Sequence, residues 1–310
     1  MSPGSSCNNI ATKGKHAHTI RIPFHRLAGE RMRPKFRDEV GDLFVKRATP
    51  GSASLEGEAA ALRWLAEAVP AGGMPVADVV SASATELVEH CIVTGSPNAE
   101  AAERVGGALA VTHAAGALWW GAPPPGWEGS YLIRGSYTPT VPESAAPNCW
   151  GAFFAEWRVM PYVRQARDAG AVDKEEARVF ERVATRLQDG EFDAPQPALV
   201  RVGGFEAARI HGDLWSGNLL WDADDGNRVG ATLIDPMAHG GHAETDLAML
   251  ALFGCPFLKR IVAAYDEASP FAEGWRDRVP LHQLAPLLHH CALYGRSYTR
   301  SALDAARPFA

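Results

Sequence analysis

The sequence predicts an α+β fold of two lobes, a small one built on an antiparallel sheet and a larger one that is mostly helical. Three observations lead there. The chain has 310 residues, beyond the length at which a single hydrophobic core stops growing. Short apolar runs bounded by turn residues gather between residues 42 and 93, whereas helix-period patterns dominate from residue 99 onward. Two further apolar runs flank an Asp-Gly pair late in the chain, which predicts a hairpin inside the helical part.

Residues 1–30 are Ser/Gly/Asn-rich at the start and lack periodicity, so a disordered tail is expected, and Met32 could serve as an alternative start. The small lobe is expected over 31–95. Asp42-Leu43-Phe44-Val45-Lys46 reads as a strand ending in a lysine. Leu55 to Val69 reads as a helix with Leu55, Ala59, Leu62, Leu65 and Val69 on one stripe. At about 100° per residue Glu58 falls inside that stripe and Glu56 outside it. A carboxylate on a buried face needs a partner, and Lys46 is the candidate. Val76 to Val80 and Glu86 to Val93 read as two more strands.

The larger lobe is expected over 96–310. Helices are predicted at Ala99–Leu118, Trp150–Asp168 and Lys174–Gln188, the first two separated by a long Pro/Gly/aromatic loop from Gly121 to Pro147. Strands return near Leu219 and Leu233. Helices then cover Leu247–Ala268 and Leu281–Ala306.

Composition narrows the function. The hydrophobic and charged fractions, 46% and 21%, are those of a soluble globular protein. A net charge of −6 argues against nucleic-acid binding. The five cysteines are scattered without a CxxC pair, which fits reduced thiols in the cytoplasm. No secretory signal is apparent at the N-terminus. The longest stretch without charge, Val105 to Trp127, is interrupted by Pro123, Pro124 and Pro125, so no membrane span is expected.

The chemistry is carried by His211-Gly212-Asp213-Leu214-Trp215-Ser216-Gly217-Asn218 and by Leu233-Ile234-Asp235-Pro236. A turn centred on Asp225 and Gly226 sets Asn218 opposite the stretch from Leu233 to Asp235. One amide oxygen and one carboxylate at neighbouring strand ends make a hard-oxygen site suited to Mg²⁺. H-x-D-x-x-x-x-N followed by a strand-end Asp matches the catalytic loop and metal-binding Asp of kinases. In that scheme Asp213 takes the proton of the acceptor hydroxyl, Asn218 and Asp235 hold metal, and Lys46, held by Glu58, meets the ATP phosphates. Taken singly, these residues could also be turn formers or a strand-end lysine.

The strings HGDLWSGNLLW at His211–Trp221, LIDP at Leu233–Pro236 and GHAETDLAMLALFG at Gly241–Gly254 resemble the fructosamine kinase (ketosamine-3-kinase) family. So do EGEAAALRWLAEA from Glu56, FFAEWRVMP from Phe153 and LAPLLHHCALYGRSY from Leu284; the likeness runs from about Phe36 to Ala306. The resemblance implies a protein-kinase-like fold and ATP- and Mg²⁺-dependent phosphorylation of a sugar hydroxyl on a ketosamine, free or carried on a glycated protein, in a deglycation role. It also implies Asp213 as base, Asn218 and Asp235 as metal ligands, and Lys46–Glu58 as the phosphate-holding pair. Glu89, His90 and Cys91 become the hinge beside adenine. Trp215 is then a wall for the sugar or a packing residue, and His290 a substrate residue or a satisfied helix histidine. A cytoplasmic monomer is expected. The family's glycine-containing nucleotide loop is not matched at Ile20–Val40, where only Gly29 is present. Rival readings are an aminoglycoside- or choline-type kinase, a pseudokinase-like nucleotide binder, and a zinc hydrolase built on His239, His242, Glu244 and Asp246.

Overall fold

The structure is a computed structural model and describes residues 43–48, 55–223 and 227–310. The expected tail, the Ile20–Val40 segment and the tip of the Asp-Gly turn lie outside the described residues. The fold is α+β and two-lobed.

In the small lobe β1 (Leu43–Arg47) is followed by helix α1 (Leu55–Ala66), β2 (Val79–Ala82) and β3 (Glu86–His90). The strands form an antiparallel sheet in the order β1-β3-β2, with Lys46 opposite Leu87. The α1 stripe buries Leu55, Ala59 and Leu62 against Leu87 of the sheet. Each leucine removed from water contributes about 1.5–3 kcal/mol. Glu56 is exposed and Glu58 half-buried, as the helical phase requires. The helix ends three residues before the predicted Val69, because Pro70 sets the chain into a short 3₁₀ turn over Val69–Ala71.

The larger lobe opens with α2 (Ala99–Ala114), capped by Asn98, whose side-chain oxygen accepts from Ala101 N–H at 2.8 Å. The long loop contains a hairpin that the sequence reading misses, β4 (Ser130–Ile133) with β5 (Ser136–Pro139). Its two-residue turn, Arg134-Gly135, has φ of 50° and 85°, which the glycine supplies without strain and the arginine does not.

The predicted Trp150–Asp168 helix is continuous but not uniform. It runs as α3 (Trp150–Phe154), a π turn over Ala155–Val159, and α4 (Met160–Asp168). Pro161 has no N–H for the carbonyl four residues back. That carbonyl, on Trp157, accepts instead from Arg158 Nη1 at 2.8 Å.

Helix α5 (Lys174–Gln188) has the predicted bounds and an Asp173/Glu176 capping box. The short helix α6 (Ala198–Val202) leads to β6 (Ala208–Ile210), which pairs with β9 (His239–Gly241); neither strand is predicted. Between them β7 (Leu219–Trp221) pairs antiparallel with β8 (Ala231–Leu233), Leu219 opposite Leu233. The predicted Leu247–Ala268 helix is two helices, α7 (Glu244–Leu252) and α8 (Leu258–Ala268), broken at Gly254 and Pro256. Helices α9 (Trp275–Tyr294) and α10 (Thr299–Ala306) complete the chain, joined by a 3₁₀ turn.

The two lobes share the β7–β8 hairpin. Leu233 belongs to the large-lobe core, whereas its neighbour Ile234 packs into the small-lobe core. Ala77 N–H donates to the Leu233 carbonyl and Leu233 N–H to the Pro75 carbonyl, both at 2.9 Å. A second tie is Arg209, whose Nη1 donates to the Trp64 carbonyl at 2.6 Å near the end of α1 and to Glu67 at 2.9 Å. Arg209→Met removes these bonds, and denaturant unfolding is expected to read a loss of about 1–3 kcal/mol. An unchanged midpoint would show that the tie carries no stability.

Candidate active site

Lys46, next to last in β1, is directed at α1. Its Nζ lies 2.5 Å from Glu58 Oε2 and 3.3 Å from Asp235 Oδ1. Burial works to lower the Lys46 pKa, but the Glu58 and Asp235 carboxylates outweigh it and hold the ammonium well above its ordinary range. Lys46 is therefore a fixed positive charge between two carboxylates from different lobes. Asp235 follows β8 with φ of 55°, a left-handed conformation that Asp tolerates better than most residues. Its side chain is 48% exposed.

The catalytic-loop segment hangs on one carboxylate. Asp246, in the first turn of α7 and 1% exposed, accepts from His211 N–H at 2.7 Å and from Gly212 N–H at 3.0 Å. His113 Nε2 lies 3.1 Å from the same carboxylate. Burial disfavours the charged form, yet these donors hold Asp246 below the ordinary carboxylate range. The His211 ring spans the site: Nε2–H donates to the Ile234 carbonyl at 3.0 Å and Nδ1 accepts from Asp213 N–H at 3.2 Å. Gly212 has φ of 81°, and a Cβ there would stand 2.2 Å from the Met237 carbonyl oxygen, so only glycine fits.

Asn218 faces Asp213. Its Nδ2 donates to the Asp213 carbonyl at 2.8 Å and to the carboxylate at 3.3 Å, leaving Oδ1 as the ligand atom of the amide. Ile234 N–H donates to the Asn218 carbonyl at 3.1 Å, which extends the hairpin register by one pair and sets Asn218 beside Asp235. Burial, then the Asp235 charge, push the Asp213 carboxyl up to about 8. The set Asn218 Oδ1 plus the Asp235 carboxylate consists of hard oxygens and suits Mg²⁺.

The other predicted residues are placed less tightly. Glu89 is buried at the end of β3, His90 has an exposed ring 3.5 Å from Asp78, and Cys91 is half-buried just beyond the strand. The Trp215 ring is 41% exposed and folds over Gly217. It does not line the cavity of about 50 Å³ that Asp213 shares with His290, Tyr162 and Arg158. His290 is held by its own helix, with Nδ1 2.7 Å from the Pro286 carbonyl, and it lines that cavity. Arg158 was not singled out from sequence. The available signal was its place in the FFAEWRVMP string, three residues before a proline.

The zinc reading does not fit the donors. His242, Glu244 and His282 come together, but His239 and Asp246 turn elsewhere. Arg278 holds both Glu244 oxygens, at 2.6 and 3.0 Å. Both His242 nitrogens are engaged, Nδ1 by Glu244 N–H and Nε2 by the Ala194 carbonyl, each at 3.2 Å. A guanidinium already fills the place that a metal would need.

The profile of the family described as "Fructosamine kinase" matches residues 13–307. Probable ketoamine kinase of Synechocystis sp. is 31% identical over 230 residues, which cover 74% of this chain and 68% of that one. Probable ketoamine kinase of Lactiplantibacillus plantarum is 35% identical over 150 residues, so the match spans about half of each chain, 48% of both. The crystal structure of a Thermobifida fusca protein assigned as a fructosamine-3-kinase superposes with a TM-score of 0.72 at 41% identity, covering 86% of this chain and 84% of that one. The architecture is accordingly protein-kinase-like.

Asp246→Ala is expected to destabilise the protein by about 3–5 kcal/mol, because His113 and two buried N–H groups lose a charged acceptor. Thermal and denaturant unfolding measure it. A loss under 1 kcal/mol would mean the carboxylate does not hold the loop.

Proposed function

The chain belongs to the fructosamine kinase family, and from that premise we propose that it transfers the γ-phosphoryl group of ATP to the sugar hydroxyl of a ketosamine. A mouse relative, 28% identical over 158 residues, is named Ketosamine-3-kinase, and the 3-hydroxyl, one carbon from the keto group, is the acceptor we assign here. The observation that carries the reading is the convergence of Asp213, Asn218, Asp235 and Lys46 from two lobes. The adduct is a small molecule or a sugar on a glycated protein, and the consequence is deglycation in the cytoplasm by a monomeric enzyme. No helix among the described residues is long and apolar enough to cross a membrane. The lobe boundary near residue 95, with the nucleotide between lobes and adenine against the backbone of Glu89, His90 and Cys91, is part of the same proposal.

The division of labour follows from the geometry. Asp213 accepts the proton of the acceptor hydroxyl as that oxygen bonds to phosphorus and the bond to the departing ADP breaks. The proton then passes to solvent. Asn218 steers the Asp213 carboxylate through Nδ2, and His211 holds the backbone N–H of Asp213. Lys46, fixed by Glu58, meets the phosphates. Asn218 Oδ1 and the Asp235 carboxylate would hold magnesium, which would supply charge neutralisation at the phosphates. Trp215 offers an exposed ring to the sugar.

The base must be ionised, so kcat/KM is expected to rise with pH through the Asp213 pKa, near 8 in the unliganded protein, and to fall about tenfold per unit below it. A profile flat between pH 6 and 9 would remove Asp213 from that role. Asp213→Asn should abolish transfer while calorimetric Mg·ATP affinity stays within a few-fold, and Asp235→Ala should abolish Mg²⁺-dependent nucleotide binding. Normal turnover in the first, or unchanged affinity in the second, contradicts the assignment. A coupled ADP-release screen of fructosamine, ribulosamine and erythrulosamine adducts beside choline and aminoglycosides tests the acceptor class. Turnover confined to the controls would contradict it.

A further inference from the structure

The cavity beside Asp213 holds polar groups that the transfer mechanism does not use. Arg158 is 5% exposed, and among the described residues it makes no ion pair. Its Nη1 donates to the Pro139 carbonyl at 3.0 Å and the Trp157 carbonyl at 2.8 Å, and its guanidinium stacks 4.7 Å from the Phe153 ring centre. Nε and Nη2 have no hydrogen-bond partner among the described residues. His289 lines the same cavity and is stacked on Tyr162 at 4.6 Å; its Nε2 likewise has no hydrogen-bond partner among the described residues. The remaining polar wall is closed, since the Thr138 and Tyr162 hydroxyls bond each other.

A buried guanidinium without a carboxylate is an unfavourable arrangement that folding alone does not explain. Arginine can only donate, so what completes this site must be an acceptor oxygen. The cavity is about 50 Å³, enough for a small oxygen-bearing group and too small for an aromatic amine or an antibiotic ring. It opens onto Asp213, so the group that enters it is attached to the carbon chain whose hydroxyl reacts.

We propose that this cavity is the keto-end subsite of the acceptor, with Arg158 Nε–H and Nη2–H donating to the carbonyl oxygen next to the hydroxyl that Asp213 deprotonates. His289 Nε2 borders the same oxygen or the hydroxyl beyond it. Arg158 is thereby a specificity residue, rejecting acceptors that lack an oxygen on the neighbouring carbon. The π turn is the device that delivers it: the extra residue and Pro161 together leave the Trp157 carbonyl to anchor Nη1 while the other two donors stay open. The inference rests on the ketosamine reading of the site.

The test compares a ketosamine with an analogue in which methylene replaces the keto carbonyl, in the wild type and in Arg158→Lys and Arg158→Gln. Lysine can still donate to the Pro139 and Trp157 carbonyls and keeps the charge, but it lacks the two open donors. Wild type is expected to favour the ketosamine in kcat/KM by on the order of 100-fold or more, since a site built to hydrogen-bond an oxygen rejects its absence strongly. In both variants the preference should fall to about tenfold or less through loss of activity on the ketosamine alone, with Mg·ATP affinity by calorimetry unchanged. A preference within about threefold of wild type in a folded Arg158→Lys overturns the inference and leaves the ketosamine reading standing. Wild type that phosphorylates neither compound overturns both.

Discussion

One buried carboxylate sets the geometry on which the site depends. Asp246 places a negative charge beneath the loop from His211 to Asp213 and takes two consecutive backbone N–H groups of that loop. Without it the loop would have to find other acceptors in an apolar surround, at a cost of about 1–3 kcal/mol for each N–H. The consequence is felt one residue further on. With His211 and Gly212 pinned, Asp213 follows in place, its carboxylate 3.3 Å from Asn218 Nδ2. The left-handed φ at Gly212 and the close Met237 carbonyl show how little slack remains.

The second constraint is the hairpin shared between lobes. Strand β8 places Leu233 in one core and Ile234 in another, so its end cannot shift without disturbing both. Asp235, the next residue, inherits that rigidity and meets Lys46 from the opposite lobe. Burial, and after it the negative charge of Asp235, raise the Asp213 carboxyl. A divalent cation would relieve that repulsion. The electrostatics of the unliganded site thus already favour the partner that phosphoryl transfer requires.

Much of the site was legible in the sequence because its information is local. Asp213 and Asn218 are five residues apart on one loop, and the apolar runs on either side of the Asp-Gly pair set Asn218 against the stretch from Leu233 to Asp235, where the strand register puts it. Helical phase alone selects Glu58 over Glu56 as the partner of Lys46. The unread parts depend on distant contacts. Strands β6 and β9 carry almost no pattern of their own, since His239-Gly240-Gly241 has no alternation and is a strand only because Ala208–Ile210 lies beside it. The β4–β5 hairpin was hidden by an Arg-Gly turn in place of Asn-Gly. Arg158 escaped notice because its meaning rests on a count, the missing N–H of Pro161, and on a cavity assembled from six segments. The nucleotide-loop stretch around Gly29 lies outside the described residues.

The central claim is that a phosphoryl group reaches one particular hydroxyl of a ketosamine. Incubating the protein with Mg·ATP and a fructosamine adduct, then locating the phosphate by ³¹P–¹H correlation spectroscopy of the product, measures this directly. The account predicts one product, phosphorylated on the carbon adjoining the keto group, formed in step with ADP. ADP release without a phosphorylated ketosamine, or a phosphate at a carbon remote from the keto group, would contradict it.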